Sequence, residues 1–166
     1  IDTRVVRPDA QASFTVGAGT PRERTLRPGD EVITFADRNL EPYRGYHVFM
    51  RALPRLLQLC PTAKVLIVGG DGVSYGAAAP SGKTWKGIFL DEVRDRIDER
   101  QVHFLGPLPY AHFLRLLQVS AAHVYLTYPF VLSWSCLEAM SAGCHLVGSA
   151  TAPVQDRSLV NLPVAN

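Results

Sequence analysis

The stretch EVITFADRNLEPYRGYHVFMRALPRLLQLCPTAKVLIVGG, residues 31–70, decides the architecture. Val32-Ile-Thr-Phe35 is a short apolar run, as a strand buried on both faces requires. A polar stretch from Asp37 to Gly45 follows. Val48, Phe49, Ala52, Leu53, Leu56 and Leu57 then recur at three- and four-residue spacing, which predicts a helix with one apolar stripe, ended by Pro61. Lys64-Val-Leu-Ile-Val-Gly-Gly70 is a second apolar strand, closed by glycines. Strand, loop, helix and strand in succession make a βαβ unit, whose strands are parallel.

The alternation continues toward the C-terminus. A Gly/Ala/Ser/Pro-rich loop runs from Asp71 to Lys83, and Trp85, Ile88, Phe89 and Val93 mark a helix with Asp91, Glu92, Arg94 and Asp95 outward. Gln101 to Leu105 reads as a third strand ending at Gly106. Pro109 to Val119 reads as a helix with Phe113, Leu114, Leu116 and Leu117 inward. Ala122 to Leu126 is a fourth strand, Ser133 to Ala142 a helix with Gly143 at its C-cap, and Cys144 to Gly148 a fifth strand. Pro153 is placed in the first turn of a further helix. Residues 1–30 show little periodicity and many punctuators, with turns at Gly17-Ala-Gly and Arg27-Pro-Gly-Asp. They are expected to be a lead-in segment to a domain over 31–166. The fold class predicted is α/β, a Rossmann-like doubly wound parallel sheet covered by helices on both faces.

Composition agrees. With 166 residues, 47% hydrophobic and 19% charged, the chain has the length of one domain and enough apolar residues for a core without disulfides or a structural metal. A net charge of +2, with basic residues spread out and only modestly dense at Arg22, Arg24 and Arg27, does not suggest a nucleic-acid partner. Cys60, Cys136 and Cys144 form neither a disulfide framework nor a C-x-x-C pair, and are expected to be buried and reduced in a cytoplasmic protein. No apolar run reaches the ~18 residues of a membrane span; Ala121 to Trp134 is interrupted by His123, Thr127 and Pro129. No signal peptide is read either. The first residue is Ile1 rather than Met, so a piece of a longer polypeptide is expected.

In open α/β sheets ligands bind outside the carboxyl ends of the strands, which directs attention to four loops: 36–45, 69–76, 106–109 and 127–133. Arg38 and Arg44 lie six residues apart, and two guanidinium forks suit a phosphate or diphosphate; solvated loop charges are the alternative. Gly69-Gly-Asp-Gly lets a backbone approach a ligand closely, or simply makes a tight turn. The first turn of the helix from Ser133 offers unpaired N–H groups to an anion near Ser133 to Ser135, and Glu138 suits ribose hydroxyls. Alternatively, Ser133 is only an N-cap and Glu138 only complements the helix dipole.

Other chemistries find less support. The five histidines have no metal-ligand spacing such as H-E-x-x-H, and His103, His123 and His145 sit in or beside strands as core or edge residues. There is no G-x-S-x-G elbow. Ser81-Gly-Lys-Thr has the tail of a P-loop without the earlier glycine. Without a D-x-D triplet, a diphosphate site would rely on arginines and helix ends, so no metal and no cofactor are expected.

Arg38-Asn-Leu-Glu-Pro-Tyr-Arg-Gly, Val65-Leu-Ile-Val-Gly-Gly-Asp-Gly, Val102-His-Phe-Leu-Gly and Leu137-Glu-Ala-Met-Ser-Ala-Gly occur in this order. Together, over residues 31 to 156, they resemble the C-terminal donor-binding domain of glycosyltransferase family 4, retaining enzymes of the GT-B fold; Ile1-Asp2-Thr3 is similar to the segment that opens that domain. The resemblance implies binding of a nucleotide-diphosphate sugar and transfer of the sugar to an acceptor. Arg38 and Arg44 would be the catalytic pair on the donor diphosphate, Arg44 standing where the family has Lys. Gly69, Gly70, Asp71, Leu105, Gly106, Leu132, Ser133, Trp134, Leu137 and Glu138 would line the donor site, with Glu138 on the ribose and backbone groups of Leu105 to Leu108 on the base. The first Glu of the family's E-x7-E motif is replaced by Phe130, a departure at the donor sugar. The resemblance further implies a missing N-terminal acceptor domain, an inactive isolated half, peripheral membrane association of the full enzyme and self-association through the apolar interdomain face. Two other readings stand beside it: a non-catalytic nucleotide or nucleotide-sugar binding module, and an NAD-dependent oxidoreductase domain, the latter disfavoured because the first strand-to-helix turn lacks G-x-G-x-x-G.

Overall fold

The computed structural model describes residues 1–128, 132–151 and 154. Seven strands and four α-helices are found among them: β1 Phe14–Val16, β2 Arg24–Leu26, β3 Val32–Asn39, α1 Tyr46–Leu59, β4 Lys64–Gly70, α2 Trp85–Asp91, β5 Val102–Gly106, α3 Tyr110–Val119, β6 Ala122–Tyr125, α4 Trp134–Ser141 and β7 His145–Gly148. Each of the five strands expected between 31 and 148 is present. The helix expected after Pro153 lies outside the described residues.

The main sheet is parallel throughout, in the order β5-β4-β3-β6-β7. The chain moves outward from β3 through β4 to β5 and returns to β6 on the other side of β3. The order therefore reverses between β3 and β6, and the helices that follow them, α1 and α4, pack on opposite faces, which leaves a crevice at the carboxyl ends of the two strands. β4 shows why both faces must be covered. Leu66 and Val68 point into a core shared with Leu116, Leu117 and Val119 of α3 and Ala139 of α4. Val65 and Ile67 point into the opposite core, with Phe49, Met50, Leu53 and Leu57 of α1 and Phe89 of α2. The doubly wound α/β fold follows from that two-sided burial.

Three local features differ from the sequence reading. First, residues 1–30 contain a hairpin. β1 and β2 pair antiparallel, Phe14 opposite Leu26 and Val16 opposite Arg24, and Phe14, Val16 and Leu26 join the core on the α3/α4 face. Three-residue strands are too short to show a period. Second, the buried stripe of α1 is Tyr46, Phe49, Met50, Leu53, Pro54 and Leu57. Val48 and Ala52, expected inside, are exposed, because the helix starts at Tyr46 and turns that ring inward against Phe35 and Phe89. Third, α2 ends at Asp91, and a 3-10 turn at Arg94–Arg96 replaces its last part.

Among the cysteines, Cys136 and Cys144 are buried and Cys60 is half-buried; all three are unbridged. His123 fits the structural reading. It is buried in the sheet, its Nδ1 lies 2.8 Å from Thr34 Oγ1, and burial lowers its pKa to about 4, so it is neutral at pH 7. No helix among the described residues is long and apolar enough to cross a membrane.

The joint between β3 and α1 fixes the crevice. Pro42–Arg44 is a 3-10 turn, and Gly45 closes it with φ 75°, its N–H donating to the Pro42 carbonyl. A methyl group on Gly45 would overlap Leu126 just past β6. Glycine is needed here twice, for the left-handed backbone and for the close approach. Gly45→Ala is therefore expected to destabilise the protein by about 2–4 kcal/mol, read as a lower urea midpoint with an unchanged m-value.

Candidate functional site

The crevice is an open cleft of about 470 Å³. Ala36, Asp37 and Arg38 from the carboxyl end of β3 and Arg44 from the 3-10 turn form its floor. Val68 and Tyr75, from β4 and the loop after it, form one side, together with Pro107, Leu108 and Phe113. Leu132, Ser133, Trp134 and Ser135, the N-terminal approach of α4, form the other.

Arg44 is the deepest charge in it, 8% exposed. A guanidinium so far from water needs an anion and hydrogen-bond acceptors around it. Its Nε lies 3.9 Å from Asp37 Oδ1, one of its terminal nitrogens donates to the Tyr125 hydroxyl at 3.2 Å, and its plane covers the Tyr75 ring at 5.2 Å. The Tyr125 hydroxyl also accepts the Ser133 N–H at 3.1 Å. Ser133 caps α4, its Oγ accepting the Cys136 N–H. The same phenol thus links the buried arginine to the helix that faces it. With the Ser133 amide engaged, the first-turn amides of Trp134 and Ser135 are those without intrahelical acceptors.

The glycine-rich loop after β4 serves a different purpose. Glu41, fully buried, accepts the N–H groups of Ser74, Tyr75 and Gly76. Asn39 Oδ1 accepts the Gly72 N–H and Asn39 Nδ2 donates to Ser74 Oγ. These amides would otherwise suit an external anion; here an internal carboxylate takes them and fixes Tyr75 over Arg44. A Cβ on Gly70 would come within 2.7 Å of Asn39 Oδ1, and one on Gly69 within 2.8 Å of Leu40. The two glycines leave room for the β3 extension.

The expected site residues accordingly fall into three groups. Arg38, Arg44, Leu132, Ser133 and Trp134 come together around the cleft. Gly69, Gly70 and Asp71 lie behind it, with Asp71 paired to Lys86 at 3.7 Å; Leu105 packs on the core, and Pro107 and Leu108 take the lining position next to Gly106. Leu137 is half-buried on α4. Glu138 lines a neighbouring cleft of about 240 Å³ with Asp2, Val6 and Tyr110. Trp134, 71% exposed, borders both clefts and stands as a ridge between them. Phe130 lies outside the described residues. No group of three or more metal-ligating side chains occurs among the described residues.

Sequence reasoning missed Asp37, Glu41, Tyr75 and Tyr125. Asp37 was hidden in a polar stretch read as loop, yet it is still on β3. Its Oδ1 accepts the Arg38 N–H at 2.8 Å, and its Oδ2 has no hydrogen-bond partner among the described residues. Burial pushes its pKa up to about 6, against the Arg38 N–H bond and the Arg44 charge, which pull it down.

A carboxyl whose folded pKa exceeds its unfolded value holds its proton more tightly in the native state. Stability is then highest below the unfolded pKa near 4 and falls as pH rises toward about 6. Asp37→Asn should remove this fall in stability between about pH 4 and 6, as thermal melts of the two proteins at pH 4 and at pH 7–8 would show. Glu41→Ala, which strips three amides of their acceptor, should cost about 2 kcal/mol or more and speed hydrogen exchange at Ser74 to Gly76.

Comparison with known proteins adds the family. The family model described as Glycosyl transferases group 1 matches residues 30–161. No curated protein matches the chain. Among solved structures, the C-terminal domain of a glycosyl transferase group 1 family protein from Francisella tularensis superposes with a TM-score of 0.65 at 17% identity, over 89% of this chain and 69% of that one. S. aureus TarM superposes with a TM-score of 0.59 at 15% identity, over 75% of this chain and 22% of TarM. A pneumococcal O-GlcNAc transferase, GtfA, gives 0.57 at 12% identity, over 75% and 21%. The chain thus spans about a fifth of these last two proteins. At such identities the likeness is one of fold, the Rossmann-like half of a GT-B architecture. Since the family model covers most of its length, the chain belongs to the glycosyl transferases group 1 family.

Proposed function

We propose that this chain is the donor-binding half of a retaining, family 4-type glycosyltransferase, and that its cleft holds the diphosphate of a sugar nucleotide. The observation that carries this reading is the meeting of Arg38 and Arg44 on one cleft, opposite the first turn of α4. Two guanidinium groups and free helix-terminal amides are what a diphosphate requires when no metal serves it.

The chemistry follows from that arrangement. As the bond between the anomeric carbon and the diphosphate oxygen breaks, its electron pair stays on the oxygen and the leaving group gains negative charge. Arg44 and the Trp134 and Ser135 amides are held in place beforehand, and together with Arg38 they stabilise that charge more than the ground state. Arg44 carries its positive charge at every working pH, since Asp37, Tyr125 and Tyr75 raise its pKa against the burial that lowers it. No nucleophile is needed from this domain. The base lies along Pro107 and Leu108, and the ribose crosses the Trp134 ridge to Glu138. The acceptor belongs to an N-terminal domain of the full protein, which works at the cytoplasmic side with its cysteines reduced. Structures of TarM and of the pneumococcal transferase contain UDP, which supports a uridine nucleotide as the first to test.

In thermal-shift titrations one of UDP, GDP or ADP should stabilise the chain, while NAD should not. Stabilisation by NAD alone would replace this reading with a dehydrogenase-type domain. Arg38→Ala should weaken the nucleotide about 10- to 100-fold by calorimetry, as loss of a charge-assisted hydrogen bond does. Release of nucleoside diphosphate by the full-length protein separates transfer from binding alone.

A further inference from the structure

We propose that Asp37 is a built-in counter-anion for Arg44, and that a diphosphate entering the cleft replaces it in that role, so that donor binding takes up one proton onto the Asp37 carboxyl. The inference rests on the donor reading above and deepens it.

Asp37 and Arg44 both line the large cleft and also a smaller cavity of about 10 Å³ behind it, bounded by Tyr125, Ser133 and Ser135. The carboxylate therefore shares the cleft lining with the two arginines that would hold the donor, 3.9 Å from Arg44. Its side chain is 12% exposed, and only one of its oxygens is hydrogen-bonded among the described residues. This carboxylate is not held in its charged form by a full set of donors. The charges acting on it are Arg38 on its own strand and Glu41 and Arg44 at the following turn, and the titratable groups on the other elements, Tyr125 on β6 and Tyr75 on the loop after β4, bear on Arg44. From α4 only the hydroxyls of Ser133 and Ser135 line the cavity, and Val68, Pro107, Leu108 and Phe113 are apolar.

Without ligand the Arg44 charge offsets the cost of ionising Asp37. A diphosphate in the same cleft competes for that charge and adds two negative charges of its own, while Glu41 already opposes ionisation from below. Like charges in one site cannot all stay ionised, and the group with the highest pKa yields first. That group is Asp37, already raised to about 6 by burial. The proton comes from solvent, and the pair Arg44–Asp37 changes from net zero to net +1 as the donor arrives.

The test uses sugar nucleotides, whose diphosphate diesters do not titrate between pH 5 and 8, so that any pH slope belongs to the protein. UDP-, GDP- and ADP-sugars are titrated calorimetrically into the chain in Tris and in PIPES, from pH 6 to 8, and again with Asp37→Asn. The expected result has three parts. Proton uptake approaches one per donor near pH 7, affinity weakens toward tenfold per pH unit above about 6, and Asp37→Asn binds up to about a hundredfold tighter at pH 8 with the slope removed. Binding without proton uptake, or with the same slope in Asp37→Asn, overturns the counter-anion role and leaves the donor reading standing. Failure of every sugar nucleotide to bind overturns both.

Discussion

The Arg44 guanidinium is the constraint on which the site depends. It sits 8% exposed at the carboxyl edge of a parallel sheet, where an uncompensated charge would cost several kcal/mol. Its compensation comes from four separate parts of the chain. Asp37 on β3 supplies the countercharge, Tyr125 on β6 an acceptor, Tyr75 from the loop after β4 a ring face, and Ser133 completes the Tyr125 hydroxyl from α4. A change in any of them moves the wall of the cleft, because the groups share one charge.

Topology places this charge where it is. The strand order reverses between β3 and β6, so the two strands whose Asp37 and Tyr125 contact Arg44 are also those that border the crevice. The loop after β4 is committed inward: Glu41 occupies its amides. The proposed anion site is accordingly the arginines and the start of α4, not the glycines. This division explains why a glycine-rich turn can look like a phosphate loop and yet serve as a support.

Much of this was legible in residues 31–148. Continuous apolar strands such as Val65 to Val68 read directly as two-sided burial, and the spacing of Arg38 and Arg44 pointed to one strand end. What escaped has physical reasons. The β1–β2 hairpin is too short to show a period. The α1 stripe is rotated toward Tyr46 and Met50 because the Tyr46 ring packs on Phe35 and Phe89, contacts the spacing within the helix does not reveal. Asp37 and Glu41 look like loop carboxylates in sequence; only the fold reveals that one faces a buried arginine and the other a row of amides. Glu138 sits on the expected helix, but one turn after Trp134, where it lines the neighbouring cleft.

The central claim is that the anion-binding surface of this domain lies between the two arginines and the first turn of α4. A crystal structure of the chain soaked with the nucleoside diphosphate that stabilises it tests this directly. Both phosphates are expected within hydrogen-bond reach of Arg38, Arg44 and the Trp134 or Ser135 amides. Phosphates seated on the Gly69–Gly72 loop, or wholly within the Glu138 cleft with the arginines uncovered, would contradict it.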